Sequence, residues 1–182
     1  MKRSYKKNSR VKRLVVLDFD ETLFFTSVAI KRATKRLLGR KDLSITEIRK
    51  LPRDLKIKIY RLAYSRYRDH SIPNTKLLAH LSKYQKDYRR VILTARGEDL
   101  RNHTISLVKK HKIKIDGYHF RKDLSHKDED WKLQKLKKFV KRYPIVELYE
   151  DKKENIDYIK NNINAQNIKY YLVTKRGARP YS

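Results

Sequence analysis

The chain alternates short apolar runs with segments whose apolar residues recur at helical spacing. The apolar runs predict strands of a buried sheet, and they lie at 13–19, 89–95, 113–121, 143–150 and 168–174. Next to them, leucine, isoleucine and valine recur every three or four residues, which predicts amphipathic helices. This alternation predicts an α/β protein with a doubly wound, mostly parallel, five-stranded sheet of the Rossmann-like type.

One segment interrupts the alternation. About 70 residues separate the first two predicted strands, too many for one crossover connection. Helical patterns fill this interval, with Ser44 or Thr46 as a candidate N-cap and Pro52 at the start of another helix. We therefore predict a single domain over residues 1–182, with its core at 11–27 and 73–182 and a small helical cap insertion at about 28–72. A lid over the carboxyl ends of the strands and a mere lengthening of the connection both remain open for this insertion.

Composition narrows the classes of function. The 182 residues carry a formal net charge of +28, which favours either a polyanionic partner such as nucleic acid or a lysine-rich composition without specific meaning. The absence of cysteine excludes disulfides and thiolate metal sites, and the scattered histidines lack zinc spacing.

Both ends of the chain are basic. We expect the first dozen residues and the final KRGARPYS to be flexible. No apolar run reaches the length of a membrane span, and no signal-type apolar core follows the basic start. We therefore expect a cytoplasmic protein with no membrane partner, with a transit peptide as the alternative.

The stretch LVVLDFDETLFF places three acids directly after a buried strand. If the strand holds to its end, Asp18 and Asp20 project the same way, because residues two apart share one face. Carboxylates that close repel each other unless a cation lies between them, and a hard divalent ion such as Mg²⁺ suits oxygen ligands. One aspartate is then free to act as nucleophile and the other as general acid and base. The alternative is a solvated acidic turn.

Four segments, in order, resemble the motifs of the haloacid dehalogenase-like (HAD) phosphatase superfamily. They are LDFDETLF with the D-x-D-x-T pattern, VILTAR, DEDWKLQKL and VELYEDKKENI. The resemblance spans residues 13 to about 173, nearly the whole chain. It implies an HAD-like fold and a phosphoric monoester phosphatase.

The resemblance also implies roles for particular residues. Asp18 attacks phosphorus and forms an aspartyl-phosphate, and Asp20 protonates the leaving oxygen and then activates water. Thr94 hydrogen-bonds the phosphoryl group, and Lys132 neutralises charge between Asp18 and the phosphate. The metal ligands are Asp18, Asp20 through its carbonyl, and Asp151. Phosphoryl transfer depends mostly on positioning and on charge compensation, which agrees with this set of residues.

Some assignments stay open. Lys122 and Lys127 compete with Lys132 for the third motif. Glu150 is either a metal ligand or faces away, and Asn155 stands where the family often has a second acid.

Arg96 comes two residues after Thr94, at a predicted strand-to-helix turn. It is predicted either to bind phosphate or to pair with Glu98 or Asp99.

The leading prediction is a Mg²⁺-dependent phosphatase with a small helical cap. Its plan is similar to the phosphatase-like domains of RNA-repair proteins and polynucleotide phosphatases, which implies a nucleotide or a nucleic-acid end as substrate. A small metabolite phosphate is the competing substrate. A second class is a non-catalytic HAD-like protein that binds RNA or a ribonucleoprotein through its basic surface. The sequence leaves the oligomeric state open.

Overall fold

The computed structural model describes residues 12–39, 43–83, 88–122 and 127–182. Its main sheet has the strand order β5-β4-β1-β6-β7-β8. The strands are β1 (Arg13–Leu17), β4 (Tyr88–Gly97), β5 (Gly117–Arg121), β6 (Ile145–Glu150), β7 (Ile168–Thr174) and β8 (Gly177–Pro180), and a separate hairpin pairs β2 (Phe24–Phe25) with β3 (Ile72–Pro73). All pairs of the main sheet are parallel except β7 with β8. The predicted α/β class and mostly parallel sheet are confirmed.

The number of strands was predicted wrongly, because the C-terminal tail forms a sixth strand in the described part of the chain. A tight turn at Lys175 and Arg176 returns the chain along β7, with Thr174 paired to Gly177. Gly177 has φ 114°, a conformation that glycine adopts without a steric penalty. The segment has few apolar residues because it lies at the sheet edge, so it gave no apolar run to detect.

The first strand is shorter than predicted. It ends at Leu17, so strand alternation does not orient Asp20. The backbone turns instead, and the carbonyl of Phe19 accepts hydrogen bonds from Leu23 and Phe24. The third predicted strand likewise begins only at Gly117, after a bend at Asp116.

Helices cover both faces of the sheet. On one face α6 (Asp128–Val140) and α7 (Lys153–Asn162) pack on Leu14 and Val16 of β1. On the other face α4 (Thr75–Leu81) and α5 (Arg101–Lys110) pack with the alternate residues of β1, Val15 and Leu17. This double covering explains why β1 is apolar from Leu14 to Leu17, since both of its faces are buried there.

The interval before β4 is helical, as predicted. It contains α1 (Ser27–Leu38), α2 (Ile45–Lys50) and α3 (Arg53–Ser65). These helices enclose an apolar cluster of their own that includes Ala33, Ile48 and Ile59. Ser44 caps α2 with a capping box to Glu47, and α3 follows Pro52 directly.

Residues 1–11 lie outside the described part of the chain. The flexibility predicted for the first dozen residues, and the start of the core predicted at residue 11, therefore fall there. Among the described helices, none is both long and apolar enough to cross a membrane. The division into core and insertion stays a prediction.

Candidate active site

A cavity of about 400 Å³ opens at the carboxyl ends of the central strands. Its floor comes from the loops that follow β1 and β6, the end of β4 and the start of α6, and its opposite wall comes from the helical interval before β4. The floor residues include Asp18, Asp20, Arg96, Lys132 and Asp151, and the insertion contributes Ile45, Arg49, Ile57, Tyr60, Arg61 and Tyr64. The insertion therefore faces the strand ends, where open α/β sheets bind their ligands.

Lys132 lies between two buried carboxylates. Its Nζ donates to Oδ1 of Asp18 at 2.7 Å and to Oε2 of Glu150 at 2.6 Å. Burial acts to lower the pKa of this lysine, but attraction from Asp18 and Glu150 outweighs burial and raises the pKa above its ordinary value. Lys132 is therefore a fixed cation beside Asp18, and Glu150 holds it there.

The other candidate lysines lie elsewhere. Lys122 follows β5 and lines a second cavity, and Lys127 precedes α6 with an exposed side chain. The amide of Asn155 donates to Oε1 of Glu150 at 3.2 Å, so Asn155 supports the ion pair. The position of Glu150 resolves one open question, because its carboxylate points inward and is fully buried.

Three carboxylates converge on one point. Asp18, Glu150 and Asp151 each offer an oxygen within 4.8 Å of the others. Burial raises the pKa of Asp18 to about 7, with further upward contributions from Glu150 and Asp20. Burial also raises the pKa of Asp151 to about 8, followed by repulsion from Asp18 and Glu150. Lys132 brings one positive charge to a cluster of three carboxyl groups, so the acids of the cluster outnumber its cation.

This donor set fits a hard divalent cation. Carboxylate oxygens are the ligands that Mg²⁺ prefers, and a cation would relieve the repulsion between Asp18 and Asp151. Both oxygens of Glu150 accept hydrogen bonds, from Lys132, the backbone of Lys152 and Asn155. Asp18 and Asp151 are therefore the better candidates for direct ligands.

Asp20 is held apart from that cluster by Arg96. Its two carboxylate oxygens accept from Nη2 of Arg96 at 2.7 Å and from Nε at 2.9 Å. The guanidinium also donates to Thr104, and it lies 4.2 Å from the ring centre of Phe19 and 3.7 Å from that of Tyr64. A planar cation with a two-pronged donor set suits this slot, and lysine would not reproduce it.

The two partners predicted for Arg96 are engaged elsewhere. Glu98 pairs with Arg101, and Asp99 pairs with Arg61 of the insertion. The predicted salt bridge of Arg96 to Glu98 or Asp99 is therefore wrong. Its predicted role as a phosphate ligand stays a prediction, and its contacts orient Asp20.

Thr94 is buried, with 1% of its surface exposed. Its hydroxyl accepts from the backbone N–H of Arg96 at 3.2 Å, and its carbonyl accepts from Nε1 of Trp131 at 3.3 Å. The cavity wall at this point is formed by Ala95 to Gly97 instead. The phosphoryl contact assigned to Thr94 stays a prediction.

The loop after β1 carries residues whose roles the sequence did not reveal. The hydroxyl of Thr22 donates to Oδ1 of Asp151 at 3.2 Å and lies 3.4 Å from Oδ2 of Asp18, so it links two of the acids. Glu21 has φ 60°, and its carboxylate accepts from the N–H and hydroxyl of Thr26. Glu21 thereby joins the loop after β1 to the start of α1. Thr22 is the threonine of the D-x-D-x-T pattern, and that pattern was the one indication of its importance in the sequence.

Phe24 of β2 is fully buried and stacks against Phe19. It belongs to the core and does not line the cavity.

Comparisons with known proteins find the same architecture. No family model matches the chain, and no curated protein matches it. Among solved structures, a haloacid dehalogenase-like hydrolase from Streptococcus pneumoniae matches with a TM-score of 0.58 and 18% identity, over 91% of this chain and 86% of that one. An HAD-superfamily hydrolase of subfamily IA from Geobacter sulfurreducens matches with a TM-score of 0.58 and 14% identity, over 88% of each chain.

A chain of the Pnkp1/Rnl/Hen1 RNA repair complex also matches, with a TM-score of 0.57 and 18% identity. That match covers 96% of this chain and 49% of the other, so this chain spans about half the length of that protein. At identities this low, the structural matches establish similarity of fold alone. The chain therefore has the fold of the haloacid dehalogenase-like hydrolases.

Proposed function

We propose that the protein is a Mg²⁺-dependent phosphatase that hydrolyses phosphoric monoesters through an aspartyl-phosphate. One observation carries this proposal. Asp18 lies at the floor of a cavity with a buried cation, Lys132, at 2.7 Å and a second carboxylate, Asp20, held by Arg96 in the same cavity. A nucleophile, a charge-compensating cation and a proton-transfer group are the parts that phosphoryl transfer requires.

In the first step an oxygen of Asp18 attacks phosphorus, and the bond from phosphorus to the leaving oxygen breaks. Asp20 donates a proton to that oxygen, which departs as an alcohol. Lys132 donates to Asp18 in the free protein, so it is positioned to stabilise charge on the phosphoryl oxygens as the new bond forms.

In the second step a water attacks phosphorus, and Asp20 accepts its proton. The bond between phosphorus and the Asp18 oxygen then breaks, which releases inorganic phosphate and restores the Asp18 carboxylate. Two hydrogen bonds from Arg96 leave lone pairs of Asp20 for this exchange of a proton, because a carboxylate offers about four acceptor sites.

A bound Mg²⁺ supplies charge neutralisation for the phosphoryl group and for the acids around it. Asp18 and Asp151 would hold the ion, with the backbone carbonyl of Asp20 as the third protein ligand implied by the resemblance. Oxygen atoms of Asp18, Glu150 and Asp151 lie within 4.8 Å of one another, and this proximity supports the assignment.

The proposed substrate is a nucleotide or a phosphorylated nucleic-acid end. The net charge of +28 and the likeness to a chain from an RNA repair complex support it over a metabolite phosphate. A non-catalytic RNA-binding protein is not favoured, because a scaffold has no use for a buried cation between catalytic-type acids. A cytoplasmic location is part of the proposal and rests on the cysteine-free composition.

The test is hydrolysis with Mg²⁺ of p-nitrophenyl phosphate, mononucleotides, and 3′- and 5′-phosphorylated oligonucleotides. Native protein is compared with Asp18→Asn, which keeps the size of the side chain and removes the nucleophile. We expect hydrolysis by the native protein alone, and acid quenching during turnover should trap ³²P on the native chain. No hydrolysis of any substrate, or equal activity in Asp18→Asn, overturns the proposal.

A further inference from the structure

A second cavity of about 420 Å³ adjoins the proposed active site. It lies beside the carboxyl end of β5 and the first turns of α6. Arg121, the last residue of β5, lines both cavities, and Trp131 of α6 lines the second while its Nε1 donates to the carbonyl of Thr94. The two cavities are thus neighbours along one surface of the protein.

The second cavity combines aromatic rings with positive charge. Tyr118 and Trp131 supply half-buried rings, and Lys122 and Lys135 supply ammonium groups. Glu98 is the one acid among its described lining residues, and that carboxylate is engaged by Arg101. Rings interleaved with cations are the features by which proteins bind single-stranded nucleic acid.

Two shifted pKa values report the positive potential of this surface. Burial lowers the pKa of His119, and repulsion from Lys135, Arg101 and Arg89 lowers it further. Burial also lowers the pKa of Lys135, with added repulsion from Lys138 and Lys122. Protonated groups here thus repel one another, and an anion would relieve that repulsion.

We infer that this second cavity binds the nucleotides adjoining the phosphorylated end of a single-stranded nucleic acid whose terminal phosphate lies at Asp18. The inference deepens the proposed function and rests on it. A metabolite phosphate would occupy the first cavity alone, whereas a polymer continues beyond it across Arg121. We call this second cavity the nucleotide groove and define it by four of its residues, Tyr118, Lys122, Trp131 and Lys135.

Lys135 covers the ring of Trp131 in the nucleotide groove, and we expect it to move when a nucleic acid binds. Its Nζ lies 4.5 Å from the centre of the half-buried Trp131 ring, within the range of a cation–π contact. A backbone phosphate competes for the same ammonium group and draws it off the ring. The indole face is then available for stacking with a base, which is tolerant of base identity.

Trp131 is the only tryptophan of the chain, so tryptophan fluorescence comes from the nucleotide groove. The native protein is titrated in EDTA, where no Mg²⁺-dependent turnover occurs, with 5′- and 3′-phosphorylated tetranucleotides of DNA and of RNA. Inorganic polyphosphate, which carries no bases, is the matched polyanion. We expect saturable quenching by at least one of the tetranucleotides and little by polyphosphate. Equal quenching by polyphosphate, or none by any tetranucleotide, overturns the inference.

A charge-reversal pair tests the role of Lys135. Lys135→Glu is compared with Lys160→Glu, an exposed lysine of α7 outside the nucleotide groove, so that the net charge changes equally. We expect Lys135→Glu to weaken tetranucleotide binding about fivefold or more and to reduce the slope of log K against log salt by about 0.7. Lys160→Glu should bind as the native protein does, and equal losses in both variants would contradict a local site.

Hydrolysis of p-nitrophenyl phosphate separates this inference from the proposed function. We expect both variants to hydrolyse it at the native rate, since that substrate does not reach the nucleotide groove. If the native protein binds tetranucleotides but hydrolyses nothing, the groove stands and the phosphatase proposal fails. If it hydrolyses p-nitrophenyl phosphate without quenching of Trp131 by any tetranucleotide, the groove fails and the phosphatase stands.

Discussion

Arg96 donates to both carboxylate oxygens of Asp20, at 2.7 and 2.9 Å, from a slot between the rings of Phe19 and Tyr64. Asp20 belongs to the loop after β1, and Arg96 belongs to β4, 76 positions later in the chain. The pair fixes the direction in which the proposed acid and base faces the cavity. It also uses most of the guanidinium donors, which leaves Arg96 poorly suited to bind a phosphate.

Substitution of Arg96 should therefore act on kcat. We expect Arg96→Lys to lower kcat on the order of tenfold and Arg96→Ala about a hundredfold, with little change in KM, because a displaced acid slows chemistry more than binding. Steady-state kinetics on p-nitrophenyl phosphate measure both constants. Thr104→Val is the matched control, because it removes the acceptor of Arg96 Nη1 and the hydrogen bond of Thr104 to the Leu100 carbonyl but leaves both contacts of Arg96 to Asp20, and it should have a small effect.

The opposite kinetic pattern would restore the role predicted from sequence. A large rise in KM with unchanged kcat would mean that Arg96 binds the phosphate.

Removal of Lys132 should destabilise the fold as well as abolish activity. Lys132→Met leaves Asp18 and Glu150 buried without their cation, and we expect the free energy of unfolding to fall by about 3–5 kcal/mol. Urea denaturation measures this change. The double variant Lys132→Met/Glu150→Gln should recover part of the loss, because it removes one of the two orphaned charges. No recovery in the double variant would contradict the proposed coupling of Lys132 with Glu150.

Mg²⁺ should stabilise the native protein through the acidic cluster. At a concentration one hundred times its Kd, the ion adds about 2.7 kcal/mol, which for this chain length corresponds to a rise in Tm of about 5–11 °C. Asp151→Asn should lose most of that rise in a thermal melt, and EDTA should reverse the rise in the native protein. Asp99→Asn is the control, because Asp99 lines the same cavity but pairs with Arg61. An equal rise in Asp151→Asn would exclude that residue as a ligand.

His119 should make the fold less stable in mild acid. Its pKa is lowered by burial first and then by Lys135, Arg101 and Arg89, so the unfolded chain takes up a proton at a higher pH than the folded protein does. This contribution to stability is complete above the ordinary pKa of about 6.5 and is lost as the pH falls below it.

Urea denaturation between pH 7.5 and 5.5 should accordingly show a smaller loss of stability in His119→Gln than in the native protein. An NMR titration of the histidine ring should also find a higher pKa in Lys135→Gln. An unchanged pKa in that variant would contradict the influence assigned to Lys135.

The sequence predicted those features that depend on local pattern. Double covering by helices makes β1 apolar from Leu14 to Leu17, and the helices α1 to α3 follow from an interval too long for one connection. The position of Asp18 after a buried strand, and of Lys132 near the start of α6, could likewise be predicted because short motifs fix them. Ser44, which caps α2, was one of two N-cap candidates that the local sequence offered, the other being Thr46.

Other features depend on contacts between distant segments. The pairing of Asp20 with Arg96 follows from the turn at Phe19 and from the side chains around it, and no spacing in the sequence encodes it. Glu150 holds Lys132 because β6 and α6 lie side by side, which the sequence of either element does not state. The sixth strand escaped prediction because an edge strand needs few apolar residues.

The position of Tyr64 has a consequence for protein engineering. Its ring belongs to α3, and it covers the guanidinium that orients Asp20 in the loop after β1. A chimera that exchanged residues 28–72 for the cap of another hydrolase would have to supply an aromatic ring at the same point. Exchange of the insertion for a new substrate preference therefore cannot be separated from alignment of the proposed general acid, and the two must be designed together.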